Sequence, residues 1–255
     1  MPFQRIEAER LSQSVVKQIE QLILRGILRP GERLPSEREL SERLGVSRPS
    51  LREAVAELQS RGLLATRAGA GIYVADVLGS AFSPALIQLF AAHEEAVFDY
   101  IAFRRDLESI AAERAAVHGS DTDLKVIDAI LGKMEVAHRK RNPADEAELD
   151  AEFHLAIIEA SHNVILLHMM RSTFDLLREG VFFNRQQMFK NRTTRDLLLD
   201  HHRAINEGIQ ARDAAAAKAA VVEHLDYVEE ELTLLNKAAK NEDIARLRYA
   251  HETER

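Results

Sequence analysis

Four residues in the second half of the chain have the types and spacing to hold a cation. Asp150 and His154 are four apart, so on a helix both side chains leave one face a single turn apart. His202 and His224 follow on later segments, each within an apolar stripe of helical spacing: Leu198, His202, Ile205 and Ile209, then Val221, His224 and Val228. One carboxylate and three imidazoles form a donor set suited to Zn, Mn or Ni, with positions left over for water or a ligand oxygen. Periodicity alone leaves His201 open too, because Leu197, His201 and Ala204 form a second, partly apolar stripe. A single helical histidine is more often a packed core residue, so only the four together point to a metal site.

A second group of residues has chemistry for DNA. Ser47, Arg48, Ser50 and Arg52 cluster at the start of a short helical segment, where a recognition helix needs its donors because that end enters the major groove. Arginine can donate two bonds to O6 and N7 of guanine, while hydroxyls serve phosphates or bases. Arg38, in the preceding segment, and Gly69, in a glycine-rich turn, are further candidate contacts.

The elements that would position these residues are legible from caps and periods. Val15, Ile19, Leu22 and Ile23 stripe a first helix over 11–25, which Gly26 and Pro30-Gly31 end. Ser36 and Glu39 read as a capping box for a short helix through Leu44. Gly45 breaks it, Ser47 caps the next, and Leu51, Val55 and Leu58 supply a core stripe up to Gly62. Two helices joined by a tight glycine turn predict a helix-turn-helix. The apolar runs 63–66 and 72–74, joined by a small, glycine-rich 67–71, predict a β-hairpin wing.

Beyond that hairpin the strand signals stop. Segments 94–118, 122–140, 144–161, 164–190, 194–211 and 213–238 carry helical spacing, with breaks at Gly119-Ser120, Asn142-Pro143, His162-Asn163 and 208–213. The fold class expected is mainly α: a winged helix-turn-helix of three helices plus a short hairpin over 1–77, a linker over 78–84, an all-α bundle over 85–240 and a C-terminal tail over 241–255.

Composition narrows the function classes. The chain has 255 residues and no cysteine, which removes disulfides, thiolate metal sites and cysteine nucleophiles. Its longest apolar runs are a few residues against the roughly 20 a bilayer requires, so a cytoplasmic protein without membrane attachment is expected. Residues 1–75 carry 12 Lys and Arg against 9 Asp and Glu, whereas the remainder carries 22 against 32. A basic front on an acidic body places the phosphate-binding surface at the N-terminus.

The stretch LRPGERLPSERELSERLGVSRPSLREAVAELQSRGLL resembles the DNA-binding signature of the GntR family, and the similarity runs over about residues 8–75. In that family the positions matching Arg38, Arg48, Arg52 and the wing glycine Gly69 contact operator DNA. The remainder resembles the FCD effector domain of the FadR branch. DAEFHLAIIEASHN, HHRAINEGIQARD and VVEHL match the segments that carry the branch's aspartate and three histidine ligands. The same pattern selects His202 over His201. FRRDLESIAAERAA and FHLAIIEASHNVILLHMMR are similar to lactate- and pyruvate-responsive repressors of the branch. Acyl-CoA-responsive relatives and some pyruvate-responsive ones lack parts of the metal set, which is intact here.

This resemblance implies a homodimeric transcriptional repressor that binds palindromic double-stranded operator DNA and is not an enzyme. It further implies a divalent metal, Zn first with Ni or Mn as alternatives. A small organic acid such as lactate, pyruvate or glycolate would then be held by Arg104 beside the metal. Arg105 is the alternative arginine, and an exposed ion pair with Glu108 the competing role for Arg104. Two other classes are a regulator for which the ion itself is the signal, and a metal-dependent hydrolase.

Overall fold

The computed structural model describes residues 11–67, 71–75, 83–140, 143–178 and 192–253. The chain divides between Ala81 and Phe82 into two compact units. It is mainly helical, an N-terminal winged helix-turn-helix followed by a helical domain.

The first unit contains α1 (Leu11–Leu24), α2 (Glu37–Leu44), α3 (Arg48–Ser60), β1 (Leu64–Arg67) and β2 (Gly71–Val74). The Ser36 hydroxyl caps α2 by accepting from the Glu39 amide, and Ser47 caps α3 by accepting from the Ser50 amide. Only the Ser36 half of the expected capping box is seen; the Glu39 carboxylate instead accepts from Arg43 one turn on, at 2.5 Å. Gly45 ends α2 in the left-handed region at φ 65°, where a side chain would be strained, so the chain can turn straight into α3. β1 and β2 pair antiparallel with Leu64 opposite Val74 and Arg67 opposite Gly71. Val15, Val16, Ile19 and Ile23 of α1 close over Leu51, Val55 and Leu58 of α3, with Leu64 and Val74 sealing the hairpin side. This unit therefore owns a core that presents the N-terminus of α3 on its surface.

The second unit contains α4 (Pro84–Ala92), α5 (Glu94–His118), α6 (Asp121–Lys140), α7 (Pro143–Ala160), α8 (Val164–Arg178), α9 (Arg192–Gln210) and α10 (Ala214–Thr253). α5 packs along α10 and α7, α9 along α10 and α6, and α6 along α7. Ala111, Ala112, Ala115 and Ala116 give α5 a thin face against Phe153, Ile157 and Ile158 of α7 and Ile205 and Ile209 of α9. Two boundaries differ from those expected. The helix α4 starts at Pro84, inside the span read as linker, because the Ser83 hydroxyl caps it and proline suits the first helical turn. α10 runs without interruption to Thr253, through the whole of the described part of the span read as a tail.

Gly208 marks a tight contact between α9 and α10. A Cβ there would lie 2.7 Å from the Ala217 backbone nitrogen and 2.9 Å from its Cα, so α9 and α10 approach through backbone that cannot yield. Gly208→Ala is expected to destabilise the effector unit by about 1–3 kcal/mol, the usual cost of overpacking, although alanine favours helix. A denaturation midpoint at or above wild type would show that the contact is not tight.

Candidate functional site

Three helices of the bundle bring together the four residues singled out above. α7 supplies Asp150 and His154 one turn apart, α9 supplies His202, and α10 supplies His224. Each offers a ligand atom, and these atoms all lie within 4.8 Å of one another in a buried cluster. His202 Nε2 is 3.0 Å from Asp150 Oδ1 and 3.3 Å from His154 Nε2. The His224 ring centroid is 4.6 Å from that of His202 and 5.1 Å from that of His154. Phe153 stands edge-on to His202 with centroids 5.2 Å apart and covers one side.

Glu108 fixes which nitrogen of His154 faces the cluster. Its Oε2 is 2.6 Å from His154 Nδ1, which leaves Nε2 turned toward Asp150 and His202. Its Oε1 accepts from Arg104 Nε at 2.6 Å. Burial would raise the Glu108 pKa, but the adjacent Arg104 and His154 outweigh it and hold the carboxyl at about 2. His224 is driven well below the ordinary histidine value by burial first and then by the neighbouring His202, His154 and Arg104, so it is neutral. Its Nδ1 is buried with no hydrogen-bond partner among the described residues.

A buried neutral imidazole with an unsatisfied nitrogen, beside a carboxylate and two further imidazoles, is a costly arrangement for a protein alone. It is a fitting one for a divalent transition metal, whose ligands must be deprotonated and whose histidines are usually oriented by an outer carboxylate. Glu108 stands where such an outer carboxylate would.

Arg104 is not on the surface. The Arg104–Glu108 pair does form, with side chains only 5% and 2% exposed, so it is a buried ion pair against the cluster. Arg105 points elsewhere, to Asp226 and Glu229 of α10. His201 lies outside the cluster, half-buried and edge-on to Tyr227 at 5.0 Å. Glu108 is the functional candidate missed in the sequence, where it entered only as a surface partner for Arg104. The signal was present: Tyr100, Ile101, Arg104, Glu108, Ala111, Ala112 and Ala115 form one helical stripe, and a charged pair inside an apolar stripe is buried.

In the first unit, Ser47, Arg48, Ser50 and Arg52 sit on the first turns of α3, and the two arginines are exposed. Both reach toward one carboxylate: Arg52 Nε donates to Glu37 Oε2 at 2.8 Å, and Arg48 Nη2 is 3.9 Å from the same oxygen. The Ser47 and Ser50 hydroxyls are 2.9 Å apart. Arg38, 81% exposed, pairs with Glu42 one turn on. Exposed pairs of this kind are worth at most about 1 kcal/mol and are readily exchanged for phosphates or bases. Gly69 lies outside the described residues.

Comparison with known proteins agrees with both halves. Residues 11–74 match the family "Bacterial regulatory proteins, gntR family", and residues 99–227 match the FCD domain. The chain is 35% identical over 223 residues to the "Putative L-lactate dehydrogenase operon regulatory protein" of Escherichia coli (strain K12), covering 86% of this chain and 85% of that one. It is 32% identical over 229 residues to the Glc operon transcriptional activator of the same strain, covering 89% and 90%. A solved structure of Streptococcus agalactiae GntR superposes with a TM-score of 0.51 at 25% identity, covering 86% of this chain and 99% of that one. These relatives are transcriptional regulators, not enzymes, which sets the hydrolase reading aside. No helix among the described residues is long and apolar enough to cross a membrane. The chain belongs to the GntR family, in the branch that joins its winged helix-turn-helix to an FCD domain, and is a DNA-binding transcriptional regulator.

Proposed function

We propose that this regulator is a repressor whose operator affinity is lowered by a small carboxylate metabolite of the lactate, pyruvate or glycolate class, bound next to a divalent metal ion. The observation that carries the reading is the buried set of Asp150, His154, His202 and His224 with the Arg104–Glu108 pair against it. Zinc is the first candidate, with Ni and Mn as alternatives, and the ion when bound would supply a Lewis-acidic centre for ligand oxygens. Asp150 and the three histidines hold it. Glu108 keeps the His154 ring oriented by accepting a hydrogen bond from its Nδ1–H. Arg104, a buried cation on the same side of the bundle, binds the effector carboxylate.

On the DNA side, Arg38, Ser47, Arg48, Ser50, Arg52 and Gly69 read and grip each half of a palindromic operator, one winged domain of a homodimer per half-site. The two sites are thermodynamically linked, so operator must weaken effector binding by the factor that effector weakens operator binding. The test is an operator titration of the zinc-loaded protein, by fluorescence anisotropy, against a panel of 2-hydroxy and 2-oxo acids. One or more acids should raise the operator dissociation constant, and only in the loaded protein. A response to metal alone, with every acid inert, would instead make the ion the signal.

Glu108→Gln tests the orienting role. The amide keeps the shape but removes the charge, and removing such an outer partner typically costs about 10–100-fold in metal affinity. Competition against a chelator should show that drop. An unchanged affinity would mean that Glu108 serves Arg104 alone.

A further inference from the structure

One carboxylate serves both arginines of α3. Glu37 opens α2, yet its Oε2 accepts from Arg52 Nε at 2.8 Å and lies 3.9 Å from Arg48 Nη2. Among the described residues, Nη1 and Nη2 of Arg52 donate no hydrogen bond, so the carboxylate grips the guanidinium by its inner edge and leaves the outer pair of nitrogens open. That outer pair matches O6 and N7 of a guanine met end-on. The other two acidic side chains of α2 are engaged within their own helix, Glu39 with Arg43 and Glu42 with Arg38.

The surroundings give Glu37 a second property. Glu37 and Arg52 line a groove of about 490 Å³ that α3 shares with the hairpin, together with Arg33, Gln59 and Thr66. Among the described residues Glu37 is the only acidic side chain lining it, against two arginines. A phosphate entering the groove must either face that carboxylate or take Arg52 away from it. A guanine edge imposes no such exchange, because Arg52 can keep its Nε bond to Glu37 while its outer nitrogens donate to the base. Sequence-independent binding is phosphate chemistry, so the carboxylate costs it more than it costs base readout.

We propose that Glu37 is a specificity-determining residue of the DNA face: it presents the outer nitrogens of Arg52 to a guanine and, by its charge, disfavours the phosphate contacts that would satisfy the same arginine on any sequence. Glu37 acts through Arg52, as a positioning residue. This role rests on α3 being the helix that reads the operator, as proposed above.

The test titrates full-length wild type and Glu37→Gln, by fluorescence anisotropy, against two labelled duplexes: one selected from a random library by the wild-type protein, and one of scrambled sequence and the same length. Glutamine keeps the shape and removes the charge. Affinity for the scrambled duplex should rise about tenfold at low salt, with a salt dependence steeper by about one counterion per protomer. Affinity for the selected duplex should change less, so that the ratio of the two falls. Discrimination should be lost at the same guanine at which Arg52→Ala loses it. Glu39→Gln, which removes an equal charge from the same turn of α2 but pairs with Arg43, should leave that guanine read as in wild type. A mere brace between α2 and α3 would behave differently: its loss would weaken both duplexes alike and lower the melting temperature. That result, or an unchanged ratio, would overturn the role of Glu37. Arg52→Ala separates this failure from a failure of the DNA reading itself. If Arg52→Ala binds the selected duplex as tightly as wild type, Arg52 is not a reader and Glu37 has nothing to position; if it binds more weakly while Glu37→Gln keeps the wild-type ratio, the role of Glu37 alone is lost.

Discussion

Removing one imidazole should empty the metal site: His154→Ala is expected to purify without stoichiometric metal, while His201→Ala, one residue from a proposed ligand, keeps it. The contrast follows from geometry, since His154 Nε2 faces Asp150 and His202 whereas His201 lies against Tyr227. A ligand that binds only the folded state at 1,000 times its dissociation constant stabilises by about 4 kcal/mol. Chelator should therefore lower the melting temperature of the wild-type effector unit and leave that of His154→Ala unmoved. Acid should act like chelator, because imidazoles must be neutral to ligate and the free group titrates at about 6.5. The Arg104–Glu108 pair persists through that change. Glu108 is depressed to about 2, so its contribution to stability is present above the ordinary carboxylate range and disappears only as pH falls toward that value. Operator binding without effector should survive His154→Ala, because the winged unit has its own core. Stoichiometric metal in a His154→Ala, His202→Ala double variant would end the assignment.

The second large effect is expected at the DNA face. Each bidentate arginine–guanine pair is worth about 1–3 kcal/mol of discrimination, so Arg48→Ala and Arg52→Ala should each weaken operator binding by that amount. The two substitutions together should reduce binding to the sequence-independent level. Neither side chain contributes to the core of its unit, so helical content and melting temperature should hold. Arg38→Ala, if this arginine grips phosphate, should weaken all sequences alike and flatten the salt dependence instead. Unchanged operator affinity in both recognition-helix variants would remove the assignment of α3.

The winged unit is legible almost residue by residue, because its turns are written in chemistry that acts locally. Ser36 and Ser47 accept from amides three residues on, and Gly45 takes a left-handed turn, whatever the rest of the chain does. The candidate metal ligands are legible as types and spacing, yet the choice between His201 and His202 needs the family pattern. Periodicity leaves an angular uncertainty wider than one residue, and only packing against α10 resolves it. Glu108 is misplaced for a different reason: an i, i+4 ion pair taken alone looks the same on either face of a helix, and only the apolar stripe around it, Tyr100, Ile101, Ala111, Ala112 and Ala115, marks it as buried. α4 is hidden by Gly79 and Pro84, which read as linker until Ser83 is seen as a cap. The end of α10 is hidden because a helix end that packs on nothing else among the described residues shows no wide apolar face, only residues that tolerate helix.

The buried cluster also has a charge balance. Arg104 and Glu108 cancel, and imidazoles that ligate are neutral, which leaves the single negative charge of Asp150. A divalent cation would exceed that by one unit, and net charge in a buried site is expensive. Electroneutrality is then restored by one monovalent anion. The site would thus count charges as well as recognise shape, favouring monocarboxylates over dicarboxylates of similar length, and an effector panel that includes both would expose that preference directly.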